Sequence, residues 1–226
     1  MEAKKDMSVF ALTLSAGHCD RVIHNADKFL RQYREDIGCY YLDYQPITPP
    51  EKIFPEDLAV TLLVNSQVGW RAFLSLQELG KTIDLSSLPK KPLENTSQEE
   101  REQITAVIAA TAQFPGVAAS VATKVLHKKR PDLIPILDNQ AIFDAYLNPK
   151  WPQRPARSES TKSQCRIRNA LEWIAFDLKR PENILVWDRL HTIEPVRSRV
   201  QLFDSVWWMY FRSVQPVVRR KDGNSA

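Results

Sequence analysis

The sequence predicts an all-α protein, and three features of its composition and patterning indicate this class. Apolar residues recur at three- and four-residue spacing through most of the chain, as they do on one face of a helix. Glycine is rare, at 6 residues, whereas the 15 prolines cluster in short segments between the periodic stretches. The chain contains no strand–helix–strand alternation and no internal repeat. With 43% hydrophobic and 26% charged residues, it has the balance of a globular protein.

The N-terminal segment, residues 1–54, is expected to hold one helix and a linker. Apolar side chains at helical spacing, Val22 among them, predict a helix over residues 20–36. Residues 40–44 are predicted to form a short extended piece that leads into the proline-containing linker ITPPEKIFP. A larger helical domain is predicted to follow over residues 55–215.

Helix ends can be recognised in the first half of that domain. Residues 55–57, Pro-Glu-Asp, predict a helix start, because proline fits the first turn and acids favour the positive end of the helix dipole. A second helix is predicted over residues 70–79, with Gly80 ending it. Ser97 and Glu100 have the spacing of a capping box and predict the start of a third helix.

The second half of the domain is predicted to alternate short helices with proline-rich joints. Pro115 and Gly116 end the third helix, and Asp138 is expected to cap a later one. The last two helices are amphipathic, and the polar tail after them, residues 216–226, is expected to fray. The predicted pieces are a helix over 118–127, an apolar link over 133–137, a helix over 138–146, a polar loop over 148–162 and helices over 167–178 and 200–211.

Composition excludes several classes of function. The three cysteines are widely spaced and no Cys/His cluster exists, so neither a metal site nor a cofactor is expected. No apolar run is long enough to cross a bilayer, and the N-terminus lacks a signal-peptide pattern, so we expect a cytoplasmic protein without membrane contact. The net charge is only +4, but residues 119–168 hold ten Lys and Arg against four Asp and Glu. This local excess is typical of a phosphate-binding face, and also of a solvated basic loop.

One stretch carries a recognisable pattern, FPGVAASVATKVLHKKRPDLIPILDNQAIF at residues 114–143. It resembles the signature of the helix-hairpin-helix DNA glycosylases, in which a Pro-Gly-Val hairpin is followed by a helix, an apolar link and an aspartate. The resemblance extends over residues 104–147, and the spacing from Gly116 to Asp138 is that of the family. It implies an all-α, glycosylase-like multi-helix fold and a protein that binds double-stranded DNA.

The resemblance also implies roles for individual residues. The hairpin residues Gly116, Val117, Ala118, Ala119 and Ser120 would bind a phosphate through backbone amides at a helix N-terminus. Asp138 would stabilise positive charge on the deoxyribose, or orient the attacking water, once a base is flipped out of the duplex. Asp138 is equally well explained as a helix N-cap, because aspartate is favoured there in any protein.

The sequence departs from the family pattern at two of these positions. Ala118 replaces the second glycine of the hairpin, where a positive φ would be unfavourable for alanine. Ser120 stands where bifunctional members carry the lysine that forms a Schiff base, so the covalent lyase route is closed at that position. A monofunctional enzyme that uses water, or a member without catalysis, remains consistent with the pattern.

Basic and aromatic residues after the hairpin are further candidates for DNA contact. Lys124, Lys128, Lys129 and Arg130 would supply positive charge beside the hairpin; alternatively, the last three form a solvated helix end. Trp151 lies in the basic loop and is a candidate for stacking on a base, although core packing or loop anchoring is the commoner role of such a residue.

The last helix carries an acid on its apolar stripe. Asp204 follows Val200 by four residues and precedes Trp207 by three, so it needs a partner if it is buried. A structural ion pair and a second active-site acid are both possible roles, with the expected partners Arg130, Arg197 and Arg199.

A second resemblance covers more of the chain. The stretch ATKVLHKKRPDLIPILDN and the later RSRVQLFDSVWWM are similar to an uncharacterised bacterial helical family. Three hypotheses follow from the sequence: a monofunctional DNA glycosylase, a non-catalytic helix-hairpin-helix protein that binds DNA or acts as a scaffold, and a helical protein without nucleic-acid affinity.

Overall fold

The computed structural model is mostly helical. It describes residues 11–16, 19–36, 38–63, 69–152 and 164–214. Within these ranges the chain forms two short strands and nine α-helices, with two short 3₁₀ turns and one π-helix between them. The strands are β1 (Leu12–Leu14) and β2 (Arg21–Ile23), and the helices are α1 (Ala26–Glu35), α2 (Gly38–Asp43), α3 (Ala59–Leu63), α4 (Trp70–Thr82), α5 (Gln98–Ala112), α6 (Ala119–Lys129), α7 (Gln164–Lys179), α8 (Pro181–Ile193) and α9 (Arg199–Val214).

The N-terminal segment differs from the sequence prediction. β1 and β2 form an antiparallel hairpin in which Leu12 pairs with Ile23, so the helix predicted over 20–36 begins only at Ala26. Val22, which the helical pattern places on a buried face, is 44% exposed because alternate residues of β2 face opposite sides. Asn25 has a φ of 57° and turns the chain from strand to helix. Residues 40–44, predicted as extended, lie mostly within α2.

Residues on both sides of the expected boundary at 54 and 55 contribute to one hydrophobic core. α1 packs along α9, and strand residues such as Leu12 are as fully buried as helix residues such as Leu171. Phe29 of α1 meets Tyr210 of α9 edge to face, with ring centroids 5.8 Å apart. The described part of the N-terminal segment is therefore packed into the helical body.

Of the helix ends predicted from local chemistry, the capping box at Ser97 is confirmed and the end at Gly80 is not. Ser97 Oγ accepts from Glu100 N at 3.2 Å and Glu100 Oε2 accepts from Ser97 N at 2.6 Å, which closes the predicted capping box. The prediction at Gly80 is wrong, because α4 continues to Thr82. Gly80 instead lets the carbonyl of Ile53 approach the helix, where a Cβ would clash with it.

The link between α6 and α7 contains a π-helix over Asn139–Tyr146, and Asp138 is its N-cap. Its apolar side is buried, and Trp207 Nε1 of α9 donates to the carbonyl of Ala141 at 2.7 Å. Tyr146 meets the ring of Trp207 at a centroid distance of 5.3 Å. These contacts hold the element that carries Asp138 against α9. No helix in the described ranges is long and apolar enough to cross a membrane.

Candidate active site

The turn between α5 and α6 has the backbone geometry that its sequence predicts. Gly116 has a φ of 81°, which is accessible to glycine and strained for other residues. Val117 N donates to the carbonyl of Phe114 at 3.0 Å and closes the turn. The Val117 side chain is buried in the core and anchors the turn to the protein.

The first turns of α4 cover one side of this hairpin. A Cβ on Gly116 would lie 2.9 Å from the backbone nitrogen of Ala72, so the chain approaches α4 more closely than any other residue allows. Ser75 Oγ of α4 donates to the carbonyl of Pro115 at 2.9 Å. The glycine is therefore required both by its φ and by this contact.

The residues that begin α6 are mostly buried, with Ala119 fully buried and Ser120 8% exposed, so the phosphate contact predicted at these two positions does not lie on an open surface. The first turn of α6 nevertheless leaves several backbone amides without an acceptor in the helix. Ala118 is its N-cap and contributes no side-chain cap, and the first helical bond runs from Ala122 N to Ala118 O. The amides of Ala119, Ser120 and Val121 therefore have no acceptor within the helix. Ala118 has a φ of −89°, so its replacement of the family's second glycine creates no backbone strain.

Asp138 lies beside this helix start. Its Oδ1 accepts from the amides of Gln140 and Ala141 at 2.9 and 3.0 Å and caps the π-helix. Its Oδ2 lies 3.4 Å from Ser120 Oγ, which is close enough for a long hydrogen bond. The side chain is half-buried. The structure thus joins the predicted acid to the predicted hairpin through Ser120.

Lys124 follows Ser120 by one helical turn and is buried. Burial lowers the pKa of its ammonium group, and the charge of Asp138 raises that pKa in opposition. Lys124 is therefore an interior cation that interacts electrostatically with the candidate acid. Lys124 therefore does not lie on an outer face of α6, where a phosphate contact was predicted.

The end of α6 is directed into the protein, which corrects the expectation of a basic surface there. Lys129 Nζ lies 2.8 Å from Asp57 Oδ2 and donates to the carbonyl of Pro49 at 3.0 Å, with its side chain 1% exposed. Lys128 Nζ donates to Tyr44 O at 3.0 Å, and burial lowers its pKa to about 8. These lysines balance internal carbonyls and a carboxylate.

Arg130 and Trp151 also contact protein groups. Arg130 donates to the carbonyl of Pro89. The Trp151 ring packs on Phe211 and Trp207 at centroid distances of 5.9 and 5.7 Å. The Arg21 guanidinium lies 5.8 Å from the centroid of the Trp151 ring. The contacts of Trp151 are those of a side chain that anchors the start of the loop. The rest of the basic loop, residues 153–163, lies outside the described residues.

Asp204 has a partner that the sequence analysis did not anticipate. Its Oδ2 accepts from Ile136 N at 3.1 Å and lies 3.5 Å from His127 Nδ1, whereas Arg197 pairs with Asp43 and Arg199 with Asp188. Burial raises the pKa of the Asp204 carboxyl well above its usual value and lowers the pKa of His127 to about 3. Asp204 therefore holds the link that leads to Asp138.

The described residues offer no evident metal-binding site. They contain no cluster of three or more His, Cys, Asp or Glu side chains that would hold a metal ion. Surface cavities of about 760 Å³ beside Arg180 and about 310 Å³ beside Arg130 are lined by other residues than Asp138.

Comparison with known proteins assigns the chain to a family. A model described as "Family of unknown function (DUF6308)" matches residues 26–211. The chain belongs to this family. No curated protein and no solved structure matches the chain.

The family match covers every element of the candidate site. The hairpin at Gly116, the acid Asp138 and the buried Asp204 all lie between residues 26 and 211. The β1–β2 hairpin precedes the matched range. Membership of this family agrees with the resemblance of the sequence to an uncharacterised helical family, and it assigns no activity to the chain.

Proposed function

We propose that this protein binds double-stranded DNA through the α5–α6 hairpin and hydrolyses the N-glycosidic bond of a flipped base, in the manner of the monofunctional helix-hairpin-helix DNA glycosylases that it resembles. The observation that carries the proposal is the 3.4 Å approach of Asp138 Oδ2 to Ser120 Oγ. It brings an acid to the helix terminus that would bind the phosphate.

Phosphate binding in this proposal relies on backbone amides. The amides of Ala119, Ser120 and Val121 lack helical acceptors at the positive end of the α6 dipole, where an anion is stabilised. Ala119 is fully buried, so the contact would fall to Ser120, which is 8% exposed, and to the half-buried Val121. Lys128 and Lys129 bind protein groups and are not used. Duplex binding is therefore expected to depend less steeply on salt concentration than it would if the basic residues at the end of α6 contacted phosphates.

Hydrolysis would use the oxygen of Asp138 that lies outside the cap. As the C1′–N bond breaks, its electrons leave with the base and positive charge develops on the deoxyribose. The carboxylate stabilises that charge and accepts a proton from the water whose oxygen bonds to C1′. The departing base anion takes a proton from solvent, and the protonated Asp138 releases its proton to solvent, which restores the carboxylate. Ser120 provides no amine, so the proposed reaction is hydrolysis without a covalent intermediate.

The decisive variant is Asp138→Asn, because asparagine caps a helix about as well as aspartate. We expect base release from duplexes that carry damaged bases to fall at least about 100-fold, while the protein stays folded and its duplex affinity stays unchanged. Base release is measured as alkali-labile strand breaks. Equal rates for Asp138→Asn and the wild type would contradict the role of Asp138.

A non-catalytic DNA-binding protein is the second candidate. It is favoured by the two cap bonds of Asp138 Oδ1, which explain an aspartate at this position without catalysis. This candidate predicts that the wild-type protein binds duplex DNA and releases no base from any of the duplexes that carry damaged bases.

A further inference from the structure

The last turn of the π-helix is held by an arginine of β2. Arg21 Nη1 donates to the carbonyl of Tyr146 at 2.7 Å, and its Nη2 donates to the carbonyl of Asn148. Carbonyls at the end of a helix lack amide partners within it, and a cation there opposes the negative end of the helix dipole. Arg21 therefore caps this helix from a strand 125 residues earlier in the chain.

The Arg21 guanidinium is fixed in one orientation. The residue is 8% exposed, and the guanidinium lies 5.8 Å from the centroid of the Trp151 ring and 5.9 Å from that of the Trp207 ring. A guanidinium over aromatic rings is stabilised by their π electrons, and its planar fork bonds two acceptors at once. A lysine could not reproduce this arrangement, because its ammonium group is a single point of charge.

The end of β1 is connected to the same turn through Asp177 of α7. Asp177 is fully buried, and its Oδ1 and Oδ2 accept from Ser15 N at 2.9 and 3.0 Å. Its Oδ2 also accepts from Tyr146 Oη at 2.7 Å. Ser15 directly follows β1, so both strands of the β1–β2 hairpin are attached to the last turn of the π-helix.

The element held in this way is an uncommon one. π-Helices are rare and mostly confined to a single turn, whereas this one runs over Asn139–Tyr146. Its first bonds run from the amides of Ile142 and Phe143 to the carbonyl of Asp138, at 2.9 and 3.3 Å. A change in the winding of this helix would therefore move Asp138 relative to Ser120.

We propose that Arg21 is a positioning residue for Asp138. In this role the β1–β2 hairpin is a clasp that keeps residues 139–146 in the π form and keeps the Asp138 carboxylate beside Ser120. The catalytic consequence rests on the proposed function, whereas the clasp itself does not. Arg21 precedes residues 26–211, the range that the family model matches, so family membership does not assign this role.

Hydrogen–deuterium exchange of the full chain tests the clasp without DNA. Arg21→Met removes both donors, and exchange of the Leu147 and Asn148 amides, which bond to carbonyls of the π-helix, is expected to accelerate at least about tenfold. Amides of α5 are the reference within the same protein and change less than about twofold. Arg21→Lys is expected to retain part of the protection, because its ammonium group reaches one carbonyl and not both.

Arg199→Met is the matched control, because it removes an arginine that pairs with Asp188 of α8. Exchange of residues 142–148 should stay unchanged in this variant. If Arg21→Met accelerates exchange equally in α5 and in the π-helix, or in neither, the clasp is wrong. If Arg21→Met does not fold, Arg21→Lys decides between the same outcomes, with about threefold faster exchange expected at the Leu147 and Asn148 amides.

Base release tests the consequence for Asp138. Arg21→Met should lower kcat about tenfold and change KM for a duplex with a damaged base less than about twofold, because the amides of α6 stay in place. If exchange accelerates in the π-helix while kcat stays at the wild-type value, the π-helix does not position Asp138 and the positioning role is wrong. If the wild type releases no base, the proposed function is wrong, and exchange alone decides whether the clasp holds the π-helix.

Discussion

The first and last turns of α6 can be compared directly, since one uninterrupted helix supplies both. The first turn leaves amides without helical acceptors and places Ser120 beside Asp138. The last turn buries Lys128 and Lys129 against backbone carbonyls and the carboxylate of Asp57. A density of positive charge in sequence therefore does not identify a phosphate-binding surface. On α6 the charges attach the helix to the N-terminal region, and the uncharged turn faces the candidate site.

The largest expected effect concerns the last turn. Lys129→Met leaves Asp57 buried without its counter-charge, and we expect the free energy of unfolding in urea to fall by about 3 kcal/mol. Lys81→Met is the control, because the Lys81–Glu78 pair is exposed and its loss costs less than about 1 kcal/mol. If a folded Lys129→Met variant instead binds duplex DNA more weakly and with a smaller salt dependence than the wild type, Lys129 contacts phosphate. That result would contradict the contrast drawn between the two ends of α6.

A smaller effect is expected at the hairpin. Gly116→Ala places a Cβ against Ala72 and requires a left-handed backbone, so the free energy of unfolding should fall by about 2 kcal/mol. Duplex affinity should fall as well, because the turn positions the amides of α6. Ala118→Gly introduces the second glycine of the helix-hairpin-helix glycosylase pattern and should change stability by less than about 1 kcal/mol, since φ is −89° there. Equal effects of the two substitutions would show that the turn is not constrained by Gly116.

The smallest effect is a pH dependence that comes from the buried face of α6. Burial lowers the pKa of His127 to about 3, from 6.5 in the unfolded chain, so the unfolded state binds the proton more tightly. The contribution of His127 to the free energy of unfolding is fully present above pH 6.5 and is lost as the pH falls toward 3. Between pH 7.5 and 5.5 the loss is about 1.4 kcal/mol. In urea unfolding, the free energy of unfolding of His127→Gln should fall by about 1.4 kcal/mol less than that of the wild type between pH 7.5 and 5.5. An equal fall in the two proteins would indicate that His127 is protonated in the folded protein.

Local features of the site could be predicted from the sequence with success. The capping box at Ser97, the turn at Gly116 and the cap by Asp138 depend on residues within three positions of one another. The β1–β2 hairpin and α8 were not predicted. Each β-strand has only three residues, too few for a periodic pattern to distinguish strand from helix.

Partners that are distant in sequence could not be predicted. Lys129 binds Thr48, 81 residues earlier, and Asp204 binds Ile136, 68 residues earlier. The same holds for aromatic residues, since Trp70 is exposed and Trp151 is packed although each has a basic neighbour in sequence, Arg71 and Lys150. Exposure of a side chain is decided by which elements pack over it, and that information is spread over the whole chain.

The sequence alone determined that the chain is mostly helical, where several helices begin, and that the turn at Gly116 is followed by a capping aspartate at Asp138. These properties follow from backbone sterics and short-range hydrogen bonds. Only the tertiary structure decided that Asp138 meets Ser120 and that the lysines at the end of α6 face inward. Burial and long-range pairing depend on the packing of elements that are far apart in the chain, and this packing sets the charge that each site presents.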